Sequence, residues 1–343
     1  MGREESYDDL LDQAWEALER GRAEAALALC DRALRLHAGA PDAYYVKGRA
    51  LRELGREDEA LKHFDRCLKI DGAYYEAMLD KAETLLELGE DPEGAVALCD
   101  RGLACDPDPE SEVWAYEVKV DALMAAGQVD QALRAAERGL RGAPDRASLH
   151  VRRAWVLYEV GDFPEAERAV EEGLRRAPDD AYAVHLGAKI RQRLGKPEAA
   201  ERDFRRAAHL EPEEYRVPFR LSPGEFEALV QEALREIPLP FRALLDRWNG
   251  QVSVMDFPTE EMIREGLSPD VLGVYQGVTE HERGRGLLPD KIILFQRALE
   301  NVCGTREQLR DEIVTTVRHE VGHHFGLSEE ELGQIEYGGR NGH

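Results

Sequence analysis

Long apolar runs are missing from this chain of 343 residues. None approaches the roughly 20 residues that a helix needs to cross a bilayer, which argues against a membrane span. The opening stretch MGREESYDDL lacks the apolar core of a secretory signal. Met1-Gly2 with Ser6 fits the outline of a myristoylation signal, but the acidic residues between them count against it. Positive charge is scarce as well: 45 Lys plus Arg face 69 Asp plus Glu, a net charge of −24. Nucleic acid and anionic membranes reward the opposite sign, so neither is expected as a partner. Such a charge reads first as a solvated, self-repelling surface. Cysteine is sparse and unpaired in pattern: Cys30, Cys67, Cys99, Cys105 and Cys303 are odd in number, with no C-x-x-C among them. They read as buried small residues in a reducing cytoplasm, not as a disulfide framework or a zinc cage.

What is present in abundance is repetition. Gly21, Gly55, Gly89, Gly127, Gly161 and Gly195 are spaced by 34, 34, 38, 34 and 34 residues, so the third unit carries a small insertion. Five residues after the glycine stand Ala26, Ala60, Ala132, Ala166 and Ala200, with Ala95 one place late. Seven further on, small residues return as Ala33, Cys67, Gly139, Gly173 and Ala207, with Gly102 shifted. Cys30 and Cys99 occupy equivalent places in units one and three, which favours a core role for both. Pro107, Pro144, Pro178 and Pro212 close the later units. A period of 34 with small residues at fixed offsets predicts paired helices that cross closely.

The pattern stops near 212–222, where Pro212, Pro218 and Pro223 fall close together. Ser222 with Glu225 predicts a capped helix to about Glu236, and Phe241 to Trp248 predicts another turn or two. Gln251 to Phe257, Leu272 to Gln276 and Lys291 to Gln296 are candidate strands. A charged, glycine-rich loop spans Gly277 to Gly286. A long helix follows, then a short one from Ser328 and a tail, 338–343, expected to be flexible.

The long helix carries His319-Glu320-Val321-Gly322-His323, an H-E-x-x-H pattern. Histidines four apart share one helical face, so both imidazoles can reach one cation, and the glutamate can touch a metal-bound water without ligating. Thr305 with Gln308 predicts a capping box at the start of this helix. Leu309, Ile313, Val317 and Val321 recur every four residues as a buried stripe, with His319 and His323 roughly opposite. Gly326 supplies a left-handed stop. A catalytic zinc keeps three protein ligands and an open position. The extended pattern H-E-x-x-H-x-x-G-x-x-[H/D/E] makes Glu329 the third ligand beside His319 and His323, with Glu330 or Glu331 as alternatives. The same carboxylates also suit the first turn of a helix capped by Ser328. His324 reads as a packing or supporting residue, and His281 as a solvated loop residue.

The repeats over residues 7–214 resemble the tetratricopeptide repeat, a 34-residue helix-turn-helix. That resemblance implies an α-solenoid of about six units whose inner surface, lined by the first helices, binds a protein partner. No Lys/Asn constellation of the carboxylate-clamp kind stands out, so an acidic peptide is not favoured. Residues 216–337 resemble the small bacterial zincin-like metallopeptidase family through Ser222-Pro223-Gly224-Glu225-Phe226, Leu272-Gly273-Val274-Tyr275-Gln276-Gly277, Leu288-Pro289-Asp290-Lys291-Ile292 and Thr305-Arg306-Glu307-Gln308-Leu309 leading into the H-E-x-x-H segment. This implies a minimal α+β zincin fold, a short sheet over the metal helix, and peptide or protein substrates. Family members more often carry Asp or His where Glu329 stands, and no Met follows Met262, unlike the metzincins. Zinc at this site would acidify a water whose proton Glu320, the catalytic base, takes and later hands to the leaving amine. A substrate strand is expected along an exposed edge at Ile292 to Phe295. No oxyanion stabiliser stands out, although Tyr337 is one candidate. The alternative reading is an interaction scaffold that carries an inactive zinc module.

Overall fold

The computed structural model describes residues 5–237, Leu245, 251–276 and 291–324, with backbone alone at 323 and 324. Two helices form from each period of 34. The first helices of the units are α1 (Tyr7–Glu19), α3 (Pro41–Glu53), α5 (Tyr75–Glu87), α7 (Pro109–Ala125), α9 (Ala147–Glu159) and α11 (Ala181–Arg193). The second helices are α2 (Ala23–Leu36), α4 (Glu57–Ile70), α6 (Pro92–Leu103), α8 (Val129–Gly142), α10 (Phe163–Arg176) and α12 (Pro197–Leu210). All six periodic glycines lie between the helices of a pair at φ of 66–81°. Other residues are strained in that conformation, so the glycine period is a period of helix stops.

The small residues mark the crossings. A Cβ added at Gly139 would stand 2.8 Å from Leu149 Cδ1, and one at Gly173 would stand 2.7 Å from Val151 Cγ2. Cys30, Cys67, Cys99 and Cys303 are buried, and burial pushes each thiol up to about 12. Cys105 departs from the expectation of burial: it is exposed, because it falls past the end of α6 in the lengthened third unit, next to Asp106 at φ 53°. A further periodic feature ties consecutive units. Lys47 Nζ lies 2.6 Å from Asp31, Lys81 Nζ 2.5 Å from Asp65, and Lys119 pairs with Asp100. Each pair joins the second helix of one unit to the first helix of the next.

The chain divides into two compact units, Met1–Val156 with Arg168–Ala177, and Leu157–Glu167 with Pro178–His343. The second unit thus holds the last repeat helices together with everything after them. Inside it, Asp270 accepts from the Tyr158 hydroxyl at 2.6 Å and pairs with Lys189. The Arg193 guanidinium sits 4.6 Å from the Phe163 ring and 4.7 Å from the Phe257 ring. Asn301 donates to Gln192 at 2.9 Å. His185 stacks on Tyr215 at 4.7 Å and meets Phe204 edge-on.

After the repeats come α13 (Pro223–Glu236), β1 (Gln251–Met255), α14 (Glu260–Arg264), β2 (Gly273–Gln276), β3 (Lys291–Phe295), α15 (Gln296–Val302) and α16 (Arg306–His324). The Ser222 capping box forms as expected, with Ser222 Oγ accepting from Glu225 N and the Glu225 carboxylate from Ser222 N. The expected turn at 241–248 lies, except for Leu245, outside the described residues. Two short helices were not anticipated: α14, capped by Thr259, and α15, which starts directly where β3 ends.

Among the described residues the sheet has three strands in the order β1-β3-β2. β1 runs parallel to β3, from Gln251 opposite Lys291 to Met255 opposite Phe295. β2 runs antiparallel, from Gly273 opposite Leu294 to Gln276 opposite Lys291. Ile292 and Leu294 face a core built with Phe226 and Leu229 of α13 and Val317 and Val321 of α16. Ile293 and Phe295 face the other side, with Met255, Met262, Leu267 and Val274. The expectation of an exposed edge at Ile292 to Phe295 is therefore corrected. A strand that is apolar at four successive positions is buried on both faces, and such strands are central.

One buried charge secures the entry into this fold. Glu300 on α15 is fully buried and accepts from Leu221 N at 3.1 Å, Gln296 Nε2 at 2.8 Å, Arg297 Nη1 at 2.8 Å and Arg220 Nη1 at 3.2 Å. Among the described residues no helix is long and apolar enough to cross a membrane.

Candidate metal centre

The helix that carries the H-E-x-x-H pattern begins where the sequence places it, with half of its cap altered. Thr305 Oγ1 accepts from Gln308 N at 3.2 Å, but the Gln308 side chain accepts from Gly304 N at 2.9 Å and not from Thr305 N. Leu309, Ile313, Val317 and Val321 are all fully buried, so the four-residue stripe seats α16 on the sheet. Burying each of these side chains contributes about 1.5–3 kcal/mol. The helix runs unbroken to His324, so positions 319 and 323 lie one turn apart on it. His319 and Glu320 are half-buried.

Glu320 meets the sheet directly. Its Oε2 accepts from the backbone N–H of Tyr275 at 2.7 Å. Phe295 N donates to Leu272 O at 2.9 Å, and the register places Val274 opposite Ile293. Hydrogen-bonded and non-bonded pairs alternate in an antiparallel ladder, so the amide of Tyr275 points away from β3, to the side of β2 that no other strand among the described residues flanks. The carboxylate thus sits on that side.

Gly273 makes the approach possible. A Cβ there would stand 2.7 Å from Thr316 Cγ2 and 3.2 Å from Ile293 O. Thr316 lies one helical turn before Glu320, and Gly273 lies two residues before Tyr275 on the same face of β2. The absence of a side chain at Gly273 therefore sets the distance at which Glu320 reaches the strand. Sequence reasoning singled out neither Gly273 nor the Tyr275 amide for this role. The signal was a glycine inside a strand pattern, which marks close approach of another segment.

Of the residues expected at the site, the structure brings Glu320 and His319 onto adjacent positions of α16 beside β2. His323 is described by its backbone alone, as is His324. Glu329, Glu330, Glu331, Gly326, Ser328, His281 and Tyr337 lie outside the described residues. Among the described residues no three His, Cys, Asp or Glu side chains gather as a metal-holding group. The donor set nevertheless suits zinc: two helical positions i and i+4 carry imidazoles, and the carboxylate between them is held by an amide.

Comparison with known proteins separates the two parts. The family described as zincin-like metallopeptidase matches residues 249–339. Tetratricopeptide repeat families match residues 11–75, and 51–116 with 123–190. No curated protein matches the chain. Among solved structures, PilW, a type IV pilus biogenesis factor, is 22% identical at a TM-score of 0.54, over 60% of this chain and 94% of its own. PilF of Pseudomonas aeruginosa is 18% identical at 0.53, over 65% and 96%. A chain of the APC/C hetero-tetramer Cut9–Hcn1 is 13% identical at 0.52, over 61% and 41%. At such identities the likeness concerns the fold alone. Repeat period, helix pairing and family matches agree, and the chain joins an array of tetratricopeptide repeats to a zincin-like metallopeptidase domain.

Proposed function

We propose that the chain is a zinc-dependent peptidase, with a repeat array over 7–214 that holds a protein partner or substrate and a catalytic domain over 216–337. His319, His323 and Glu329 would hold zinc, with Glu330 or Glu331 as the alternatives for the third place. Zinc bound there supplies an electrophile for the scissile carbonyl and an acidified water. Glu320 would be the base that accepts a proton from an attacking water and returns it to the leaving amine. The observation that carries this reading is the bond from Tyr275 N to Glu320 at 2.7 Å. It holds the carboxylate on the side of β2 that no other strand among the described residues flanks, and an extended peptide would lie along that side. All five cysteines are free thiols, which suits the cytoplasm.

Metal analysis of the purified chain tests the proposal. About one zinc per chain is expected, lost in His319→Ala and in His323→Ala, while Glu320→Gln keeps zinc and loses peptide cleavage. A wild type without zinc would sink it. The second reading, a scaffold with an inactive zinc module, draws on the same hydrogen bond, since a carboxylate engaged by a backbone amide also serves structure. Wild type that holds zinc and cleaves nothing in a broad peptide library selects that reading.

A further inference from the structure

A cavity of about 720 Å³ opens on the first helices of units one to four, all within the first compact unit. It is walled by Trp15 of α1, Tyr45 of α3, Tyr74 at the start of α5 and Trp114 of α7. Its charged lining consists of five carboxylates and two guanidinium groups. The inner charges are already committed. Arg52 binds Asp80 at 2.7 Å, Glu83 at 3.0 Å and Glu87 at 2.7 Å. Asp80 also accepts from the Tyr45 hydroxyl at 2.6 Å, and Glu83 from the Trp114 indole at 2.7 Å. Arg49 lies over the Trp15 ring at 5.6 Å. At the mouth, Glu53 and Glu76 are exposed and make no ion pair among the described residues. The groove therefore combines fixed aromatic walls, which stack on flat or aliphatic groups, with a surplus of negative charge that its own arginines do not neutralise.

We propose that this groove seats the basic side chains of an extended segment in the partner protein, an inference that rests on reading the array as a partner-holding module. The stem of a Lys or Arg packs on Trp15 and Trp114, and its cation meets Glu53 and Glu76. An anionic or neutral segment lacks the second half of that match.

Fluorescence anisotropy on the full chain at about 0.15 M salt tests this. The probes are fluorescein-labelled alternating decapeptides of Arg-Ala, Gln-Ala and Glu-Ala. The Arg-Ala peptide is expected to bind at least about tenfold more tightly than Gln-Ala. The double variant Glu53→Gln/Glu76→Gln is expected to weaken it by about tenfold, while Glu24→Gln/Glu93→Gln, exposed on the second helices, leaves it unchanged. Equal losses in both double variants would mean diffuse attraction to an acidic protein and would overturn the proposal. Binding of Gln-Ala or Glu-Ala that disappears in Trp15→Ala would overturn the basic ligand while keeping the array as a peptide-holding module. No binding of any of the three removes the groove as a peptide site.

Discussion

Replacing Glu300 by alanine removes the acceptor of four hydrogen bonds at once. Two of the donors are guanidinium groups, and a third is the backbone amide of Leu221, just ahead of α13. Bonds to a charged group contribute about 1.5–3 kcal/mol each, and removing one partner of a buried ion pair costs about 3–5 kcal/mol. Arg220 and Arg297 keep 21% and 26% of their side-chain surface exposed, so water reaches both when the carboxylate is gone. That places the cost at the lower end, about 3 kcal/mol. At a factor of ten for each 1.4 kcal/mol, opening of the surrounding structure becomes on the order of a hundredfold more frequent. Native-state hydrogen exchange at the amides of α13 and α15 reads that quantity directly. Glu300→Gln keeps one acceptor oxygen and should fall between wild type and Glu300→Ala. An acceleration below about threefold in Glu300→Ala would refute the reasoning, because the carboxylate would then contribute less than a single ordinary hydrogen bond.

Gly273→Val should cost about 1–3 kcal/mol by denaturant unfolding, because its Cβ meets Thr316 at 2.7 Å, and it should lower metal affinity more than Phe226→Ala does. Phe226→Ala, at a fully buried core position, should cost about 3–5 kcal/mol in the same assay. Burial, with Lys189 second, pushes His185 down to about 4, so the unfolded chain takes up its proton first as pH falls. Its contribution to stability is complete above the ordinary value of 6.5 and is lost as pH drops towards about 4, by at most about 3 kcal/mol. The difference between wild type and His185→Phe should carry that slope, and parallel stability curves between pH 4 and 6.5 would contradict it.

The repeat array was legible because its constraints are local and recur: a glycine that only one backbone conformation suits, and small residues wherever two helices cross. The stripe from Leu309 to Val321 was readable for the same reason. The strand order was not. Which of three short strands is central depends on pairing between segments far apart in the chain, although the unbroken apolar run Ile292-Ile293-Leu294-Phe295 pointed to the middle of the sheet. At the candidate site, His319 and Glu320 follow from spacing alone. The contact of Glu320 with Tyr275 does not, since it depends on a backbone amide, and an amide leaves no trace in residue identity. The Lys–Asp pairs between units were also missed, because surface charges in so acidic a chain do not stand out until their partners are seen.

Those pairs bear on how the array can change. Asp31 meets Lys47, and Asp65 meets Lys81, at the same interval along the chain. Excising residues 41–74 would remove α3 and α4 and bring Asp31 to that same interval from Lys81. The new junction would reproduce the old one in register, helix pairing and its Lys–Asp pair, but Asp80 would lose the bonds it receives from Arg52 and Tyr45. In a structure where each unit touches only its neighbours, such an event costs the energy of one interface and leaves the others as they were. Length is thus a property this array can gain or lose in whole steps by recombination, with refitting confined to the carboxylates of α5 that Arg52 had held.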